Sequence, residues 1–187
     1  MARAEQHKAR KDFPESGIVA GQTYYQWGHR IGSRFVTYRS LTPPTRQQLT
    51  QFEFMISVYD LDDRLQALSA ESSFEDIRSE VESICEAINS LGEEQDEKYS
   101  NMPEGLQQSS SGELLQERAE GCNDWKSDLE AVDLEYDDDS IRSNYIDNLE
   151  DAPDELTDEQ EQEVQAQIVE QKERLLEELQ GCSYNGS

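Results

Sequence analysis

The sequence predicts an α+β chain, mainly α. A small N-terminal basic β-hairpin comes first, then an antiparallel helical hairpin or bundle, then a C-terminal amphipathic helix. Three observations carry this. Aromatic and β-branched residues cluster around a Gly-containing turn in the first 45 residues. Apolar residues recur at steps of three and four from Arg46 onward. The charge changes sign between the two regions. Residues 1–50 hold eight basic and three acidic residues, a formal +5, whereas residues 51–187 hold eight basic and 39 acidic, a formal −31. Charge and composition divide the 187 residues into a basic aromatic head (1–44), an acidic helical bundle or coiled-coil hairpin (45–132), an acidic linker (133–156) and a final helix with its tail (157–187).

Residues 1–16 are polar and basic and are expected to fray. Gln22 to His29 reads as a strand carrying Tyr24, Tyr25 and Trp27. Arg30 to Ser33 reads as a turn, and Arg34 to Ser40 as a second strand with Phe35, Val36 and Tyr38. Pro43-Pro44 ends the ladder, because proline has no N–H to donate. Leu49, Phe52, Met55, Ile56, Tyr59, Leu65 and Leu68 approximate one apolar stripe, which predicts a helix over 46–68.

Ser72 and Glu75 then have the spacing of a capping box. Phe74, Ile77, Val81, Ile84, Ile88 and Leu91 follow as a heptad seam that continues toward Tyr99. Asn101 to Gly105 breaks the helix and Gln107 to Gly112 reads as a polar loop. Ser110 and Glu113 offer a second capping box, and Leu115, Cys122, Trp125, Leu129 and Val132 a second seam. Two helices of similar length joined by about a dozen loop residues suggest an antiparallel hairpin. Asp133 to Glu155 is the most acidic stretch and is expected as a linker, with a short helix around Ile141, Tyr145 and Leu149. Thr157 and Gln160 form a third capping box before Val164, Ile168, Leu175 and Leu179. Gly181 is placed as that helix's C-terminal cap, Lys172 and Arg174 as partners of its dipole, and residues 182–187 as a disordered tail.

Chemistry is sparse. His7 and His29 are the sole histidines, and no nucleophile elbow, phosphate-binding glycine loop or HExxH motif is present, so no catalytic residue is assigned and the chain is read as non-enzymatic. Asp139 to Glu150 has the length of a calcium loop, but Ile141 stands third and Asn144 sixth, where a carboxylate and a glycine belong. No metal or cofactor is therefore expected. Cys85 and Cys122 lie on or beside apolar seams and read as small buried hydrophobes, and Cys182 as exposed. No apolar run approaches the roughly 20 residues of a membrane span, so no membrane partner is expected. The charged N-terminus is not a secretory signal, and three widely spaced cysteines favour the cytoplasm.

Two binding surfaces stand out. Tyr24, Tyr25, Trp27, Phe35 and Tyr38 interleave with Arg30, Arg34 and Arg39, a mix that suits base stacking and phosphate contact in single-stranded nucleic acid. The same residues equally fit a small aromatic core with solvated arginines, or a head that binds the chain's own acidic body. The acidic helices suggest imitation of DNA, with Asp60, Asp62, Asp63, Glu86, Glu93, Glu94, Glu117, Glu120, Asp124 and Asp128 among the charges presented.

Two stretches resemble a group of uncharacterised proteins carried by tailed bacteriophages. One runs from Lys8-Ala9-Arg10-Lys11-Asp12-Phe13-Pro14 through Gly17-Ile18, Gly21 and Tyr24-Tyr25-Gln26-Trp27 to Pro43-Pro44 and Leu49-Thr50. The other is Asn101-Met102-Pro103-Glu104-Gly105-Leu106-Gln107-Gln108, with Gly112, Leu115, Glu117-Arg118 and Trp125 after it. The resemblance covers residues 8–130 and implies no activity or site residue. It implies a phage accessory protein acting in the host cytoplasm. The expected function is an acidic interaction protein, a DNA mimic that binds the basic groove of a host nucleic-acid-handling or defence protein. The alternatives are a nucleic-acid-binding module using the hairpin, and a structural protein that self-associates into a homo-oligomer through its heptad seams.

Overall fold

The computed structural model describes residues 2–149 and 156–186. In chain order these form β1 (Glu5–Lys8), β2 (Thr23–Ile31), β3 (Arg34–Ser40), α1 (Glu53–Gln66), α2 (Phe74–Ser100), α3 (Glu104–Gln107), α4 (Ser110–Glu130), α5 (Asp138–Asp147) and α6 (Asp158–Gly181). Single 3₁₀ turns lie at Pro14–Ser16 and Gln47–Leu49. The fold is α+β and mainly α, as expected. The chain divides into two compact units, residues 1–60 and 61–187. That division falls within α1 and differs from the compositional segments.

The first unit is built on an antiparallel sheet of order β1-β2-β3. Gly32 takes φ 61°, and Ile31 pairs with Arg34 across it, so two residues connect β2 to β3. A glycine first in a two-residue connection suits the right-handed twist of the strands it joins. The N-terminal segment is not frayed throughout. Glu5–Lys8 pairs with Thr23–Gln26. Nothing in Glu5-Gln6-His7-Lys8 alternates apolar with polar, because this edge strand is held by backbone bonds. Beyond it, Ala9 N–H donates to Gln22 O at 2.8 Å and Gly21 N–H to Ala9 O at 2.8 Å. Ala9, Ile18 and Tyr24 form a small core with Phe13 against it.

The helix expected over 46–68 begins later. Thr45 N–H donates to Gln48 Oε1 and Gln48 N–H to Thr45 Oγ1, which closes one turn at Gln47–Leu49. Thr50 is then extended, at φ −116° and ψ 156°, and the chain enters α1 at Glu53. The buried face of α1 is Phe54, Val58, Leu61 and Leu65. Phe52, assigned to the stripe, is 61% exposed, and Ile56 is exposed as well. Leu49 and Phe52 lie before α1 and so do not share its helical phase.

In the second unit α2 carries the expected seam. Phe74, Ile77, Val81, Ile84, Ile88 and Leu91 are all buried, and Gln95 extends the row. The capping box is Ser73 with Asp76 rather than Ser72 with Glu75. Ser73 Oγ accepts from Asp76 N–H at 3.0 Å and the Asp76 carboxylate accepts from Ser73 N–H at 3.4 Å. Burial of Phe74 in the first turn makes its immediate neighbour the capping residue.

Helices α2 and α4 pack antiparallel. Gly92 lies against Cys122, Asn89 meets Lys126, and the Arg78 guanidinium donates to Leu134 O at 2.8 Å. As one index rises the other falls. The stretch expected as a polar loop is mostly helical, since α3 ends at Gln107 and α4 starts at Ser110. The Ser110–Glu113 box does not form. Ser109 takes the capping position, but its hydroxyl donates to Leu106 O at 2.5 Å and leaves the α4 backbone uncapped. On α4 the seam is Cys122, Trp125 and Leu129, joined by buried Gly112 and Ala119, with Leu115 half-buried.

The acidic stretch contains α5, capped by Asp137, whose carboxyl is held below its ordinary range by hydrogen bonds from Ser140. Arg142 and Tyr145 of α5 contact Glu161 and Glu163 of α6. Residues 150–155 of the expected linker lie outside the described residues. On α6 the Thr157–Gln160 capping box forms, and Val164, Ile168, Leu175 and Leu179 are buried. Lys172 departs from expectation. It is buried, with its ammonium 4.9 Å from the Phe74 ring and 3.7 Å from the Asp138 carboxylate. Burial on the helix's inner face, rather than the dipole, places it. Gly181 ends the helix with ordinary φ, and Cys182 is the cap in extended conformation. Tyr184 of the tail packs on Gly121 and edge-on to Trp125, with ring centroids 6.4 Å apart.

Cys85 and Cys122 are buried free thiols. Burial pushes the Cys122 thiol from 9.0 up to about 11. An unfolded chain ionises it near 9, so the folded state holds the proton more tightly. The resulting stability is full below about pH 9 and is lost as pH rises toward 11. Denaturant unfolding at about pH 8 and about pH 11 should differ by about 2 kcal/mol more in the native chain than in Cys122→Ala.

Candidate functional site

The sheet sorts the eight head residues onto two faces, because successive side chains of a strand point to opposite sides. Register places Tyr25, Trp27, Arg34 and Tyr38 on one face and Tyr24, Arg30, Phe35 and Arg39 on the other. On the first face Trp27 is buried and stacked on Tyr38 at 5.9 Å. His29 meets Tyr38 edge-on, and its Nε2 lies 2.7 Å from Gln48 O. On the second face Tyr24 is buried against Phe13, with centroids 5.6 Å apart. Arg39 lies over the Phe13 ring at 4.5 Å and donates to Gln26 Oε1 at 3.2 Å.

A single aromatic platform of all eight residues therefore does not exist. Tyr24 and Trp27 are structural. Arg30, Arg34 and Phe35 remain exposed near the turn, with Tyr38 39% exposed. The Phe35 ring lies over Gly28, where an added Cβ would come within 2.5 Å of it. Phe13 and Gln48 complete this arrangement, yet neither belongs to the hairpin. Only their contacts across the sheet identify them.

The acidic candidates separate more cleanly. Glu117, Glu120, Asp124 and Asp128 are all exposed, on the side of α4 opposite its buried face. Their spacing of three, four and four residues makes one row about 16 Å long at the helical rise. Beside this row runs a groove of about 420 Å³, walled by these four residues, Trp125 and the tail at Ser183, Asn185 and Gly186. Glu86 and Glu93 point outward from α2, and Glu93 accepts from Asn89 at 2.8 Å. Glu94 is paired with Lys98 at 2.6 Å. Asp60, Asp62 and Asp63 lie on α1, with Asp62 half-buried. Between α2 and α4, Glu86 edges a second groove of about 570 Å³ that is floored by Val81, Cys85 and Leu129.

The charge density can be compared with DNA. Helix α2 carries nine acidic and two basic residues, and α4 six acidic and two basic. Their joint net charge of −11 lies along about 40 Å of α2, or one charge per about 3.7 Å. Duplex DNA carries one per about 1.7 Å of axis. The pair has about half the linear charge of DNA. Among the described residues no group of three or more His, Cys, Asp or Glu is placed to hold a metal ion. Among the described residues no helix is long and apolar enough to cross a membrane. No family model, curated protein or solved structure matches the chain.

Proposed function

We propose that the second unit is an acidic protein-binding surface that occupies the nucleic-acid groove of a basic partner, with the α4 row at its centre. The observation that supports this most is the row itself: Glu117, Glu120, Asp124 and Asp128 stand on one outward helical face. The unit carries eight basic and 37 acidic residues, a formal −29, which steers a basic surface toward it. Half the linear charge of a duplex is enough for strong attraction without reproducing phosphate positions. The partner class is then a protein with an open basic cleft. The resemblance to bacteriophage proteins suggests a host nuclease or defence protein. The activity is binding and exclusion of nucleic acid, with no chemical step.

The test is affinity capture from host lysate at low salt, with and without nuclease, using the native chain and Glu117→Gln/Glu120→Gln/Asp124→Asn/Asp128→Asn. A stoichiometric protein should survive nuclease, elute with salt, and bind the variant about tenfold or more weakly, chiefly through slower association. Capture that the variant retains in full rejects the α4 row as the binding surface. Recovery of nucleic acid, with every protein lost on nuclease treatment, would move the function to Arg30, Arg34 and Phe35.

A further inference from the structure

Strand β3 is an edge strand. It pairs with β2 on one side only. The two-residue connection makes Ile31 and Arg34 a hydrogen-bonded pair, so Arg34, Val36, Tyr38 and Ser40 direct their backbone groups to β2. Phe35, Thr37 and Arg39 direct theirs outward. The side chains along this edge are unusual for one left to solvent. Phe35 is 69% exposed, and Tyr38, Leu41 and Ile31 are exposed apolar or aromatic residues next to it. Natural sheets blunt such edges with bulges, prolines or closely spaced charges. Here only Arg34 and Arg39 flank the four strand residues Phe35 to Tyr38.

We propose that β3 pairs antiparallel with β3 of a second copy, about a two-fold axis at Thr37, to make a continuous six-stranded sheet. This register aligns all seven residues. Thr37 faces Thr37, Phe35 faces Arg39, Val36 faces Tyr38 and Arg34 faces Ser40 of the other copy. No arginine faces an arginine. Each Phe35 meets a guanidinium, an attractive ring–cation pair, and Val36 with Tyr38 is a favourable cross-strand pair. The residues paired by hydrogen bonds across the new edge are Phe35, Thr37 and Arg39, the three whose backbone groups are outward. A slip of one residue between the strands would set outward groups against inward ones. Shifts by two lose overlap. Sequence, backbone pattern and charge therefore select one isologous contact.

A strand edge alone is a small interface, so the dimer is a weak, reversible one. Two bodies of formal charge −29 repel at low salt, and screening relieves this. Dimerisation should strengthen as salt rises, the opposite of the partner binding proposed above.

Sedimentation of the full chain over about two decades of micromolar concentration tests this, at low and at about physiological or higher salt. The mass should rise with concentration, and more so in salt. Amide exchange should slow with concentration at Phe35, Thr37 and Arg39. It should stay unchanged at Val36 and Tyr38, which already bond to β2. Thr37→Pro removes the central donor and should abolish the dimer, whereas Thr37→Val keeps the N–H and should retain it. Phe35→Lys puts a cation opposite Arg39 on an exposed position and should weaken pairing at least tenfold without unfolding the chain, which circular dichroism checks. A monomer throughout the range at high salt overturns the proposal. So does a dimer that Thr37→Pro and Phe35→Lys both leave intact, or one whose amide protection falls outside β3.

Discussion

Ile84→Asp is expected to unfold the helical unit rather than to dissociate an oligomer. Ile84 lies at the middle of the α2 seam and is fully buried within the chain. Its neighbours on the seam, Val81 and Ile88, are buried too, as are Cys122, Trp125 and Leu129 on the facing side of α4. An unpaired charge in such a place must either take a proton or draw water into the interior. Loss of the isoleucine's packing adds about 2–5 kcal/mol. Together the two terms approach the whole stability of a domain of this size, about 5–15 kcal/mol. Far-ultraviolet circular dichroism should show loss of most helix at room temperature, or a melting midpoint lowered by more than about 15 °C. A folded, merely dissociated variant would show that the seam faces another molecule. That outcome would revive self-association through the heptads.

Gly112→Ala is the second large effect. Gly112 is buried at the start of α4, where the end of α3 crosses it. An alanine Cβ there would come within 2.1 Å of Gln107 O and 2.7 Å of its carbonyl carbon. The obstacle is backbone, so no side-chain rotation relieves it, and α3 must move. Overpacking costs about 1–3 kcal/mol or more, while replacing a helical glycine returns only about 1 kcal/mol. The net loss should be about 2 kcal/mol in denaturant unfolding. Two glycines serve as controls. Gly105 and Gly181 have nothing within 4 Å of an added Cβ and ordinary φ. Alanine at either should be neutral or stabilising by up to about 1 kcal/mol. A loss at Gly181 would mean that it does cap α6 in the left-handed conformation, as its place in the sequence suggests.

The readable parts of the chain were those whose signal is local and periodic. The β2–β3 hairpin declares itself by aromatic strands around Gly32. The α2 and α6 seams declare themselves by spacing, and Thr157 with Gln160 by its motif. The acidic row on α4 was also legible, because helical phase alone groups Glu117, Glu120, Asp124 and Asp128 on one face, away from Cys122. Local signals were ambiguous where two of them competed. Ser72 and Ser73 both precede an acidic residue by three, and burial of Phe74 decides between them. Leu49 and Phe52 match a helical stripe, but the Thr45–Gln48 turn consumes the first residues before α1 begins.

Composition and order by themselves determined the class of fold, the basic head, the acidic body and the buried state of Cys85 and Cys122. These follow from hydrophobic period and net charge, which are properties of short windows. Tertiary structure alone decided that Glu5–Lys8 is a strand, since its bonds come from residues about twenty positions away. It alone decided that the hairpin's aromatics divide between two faces and that Trp27 is not a stacking platform. It also buried Lys172 between Phe74 and Asp138, where sequence placed it at a helix end. In each case the deciding contact joins segments distant in the chain, and no local pattern encodes which distant surface a side chain will meet.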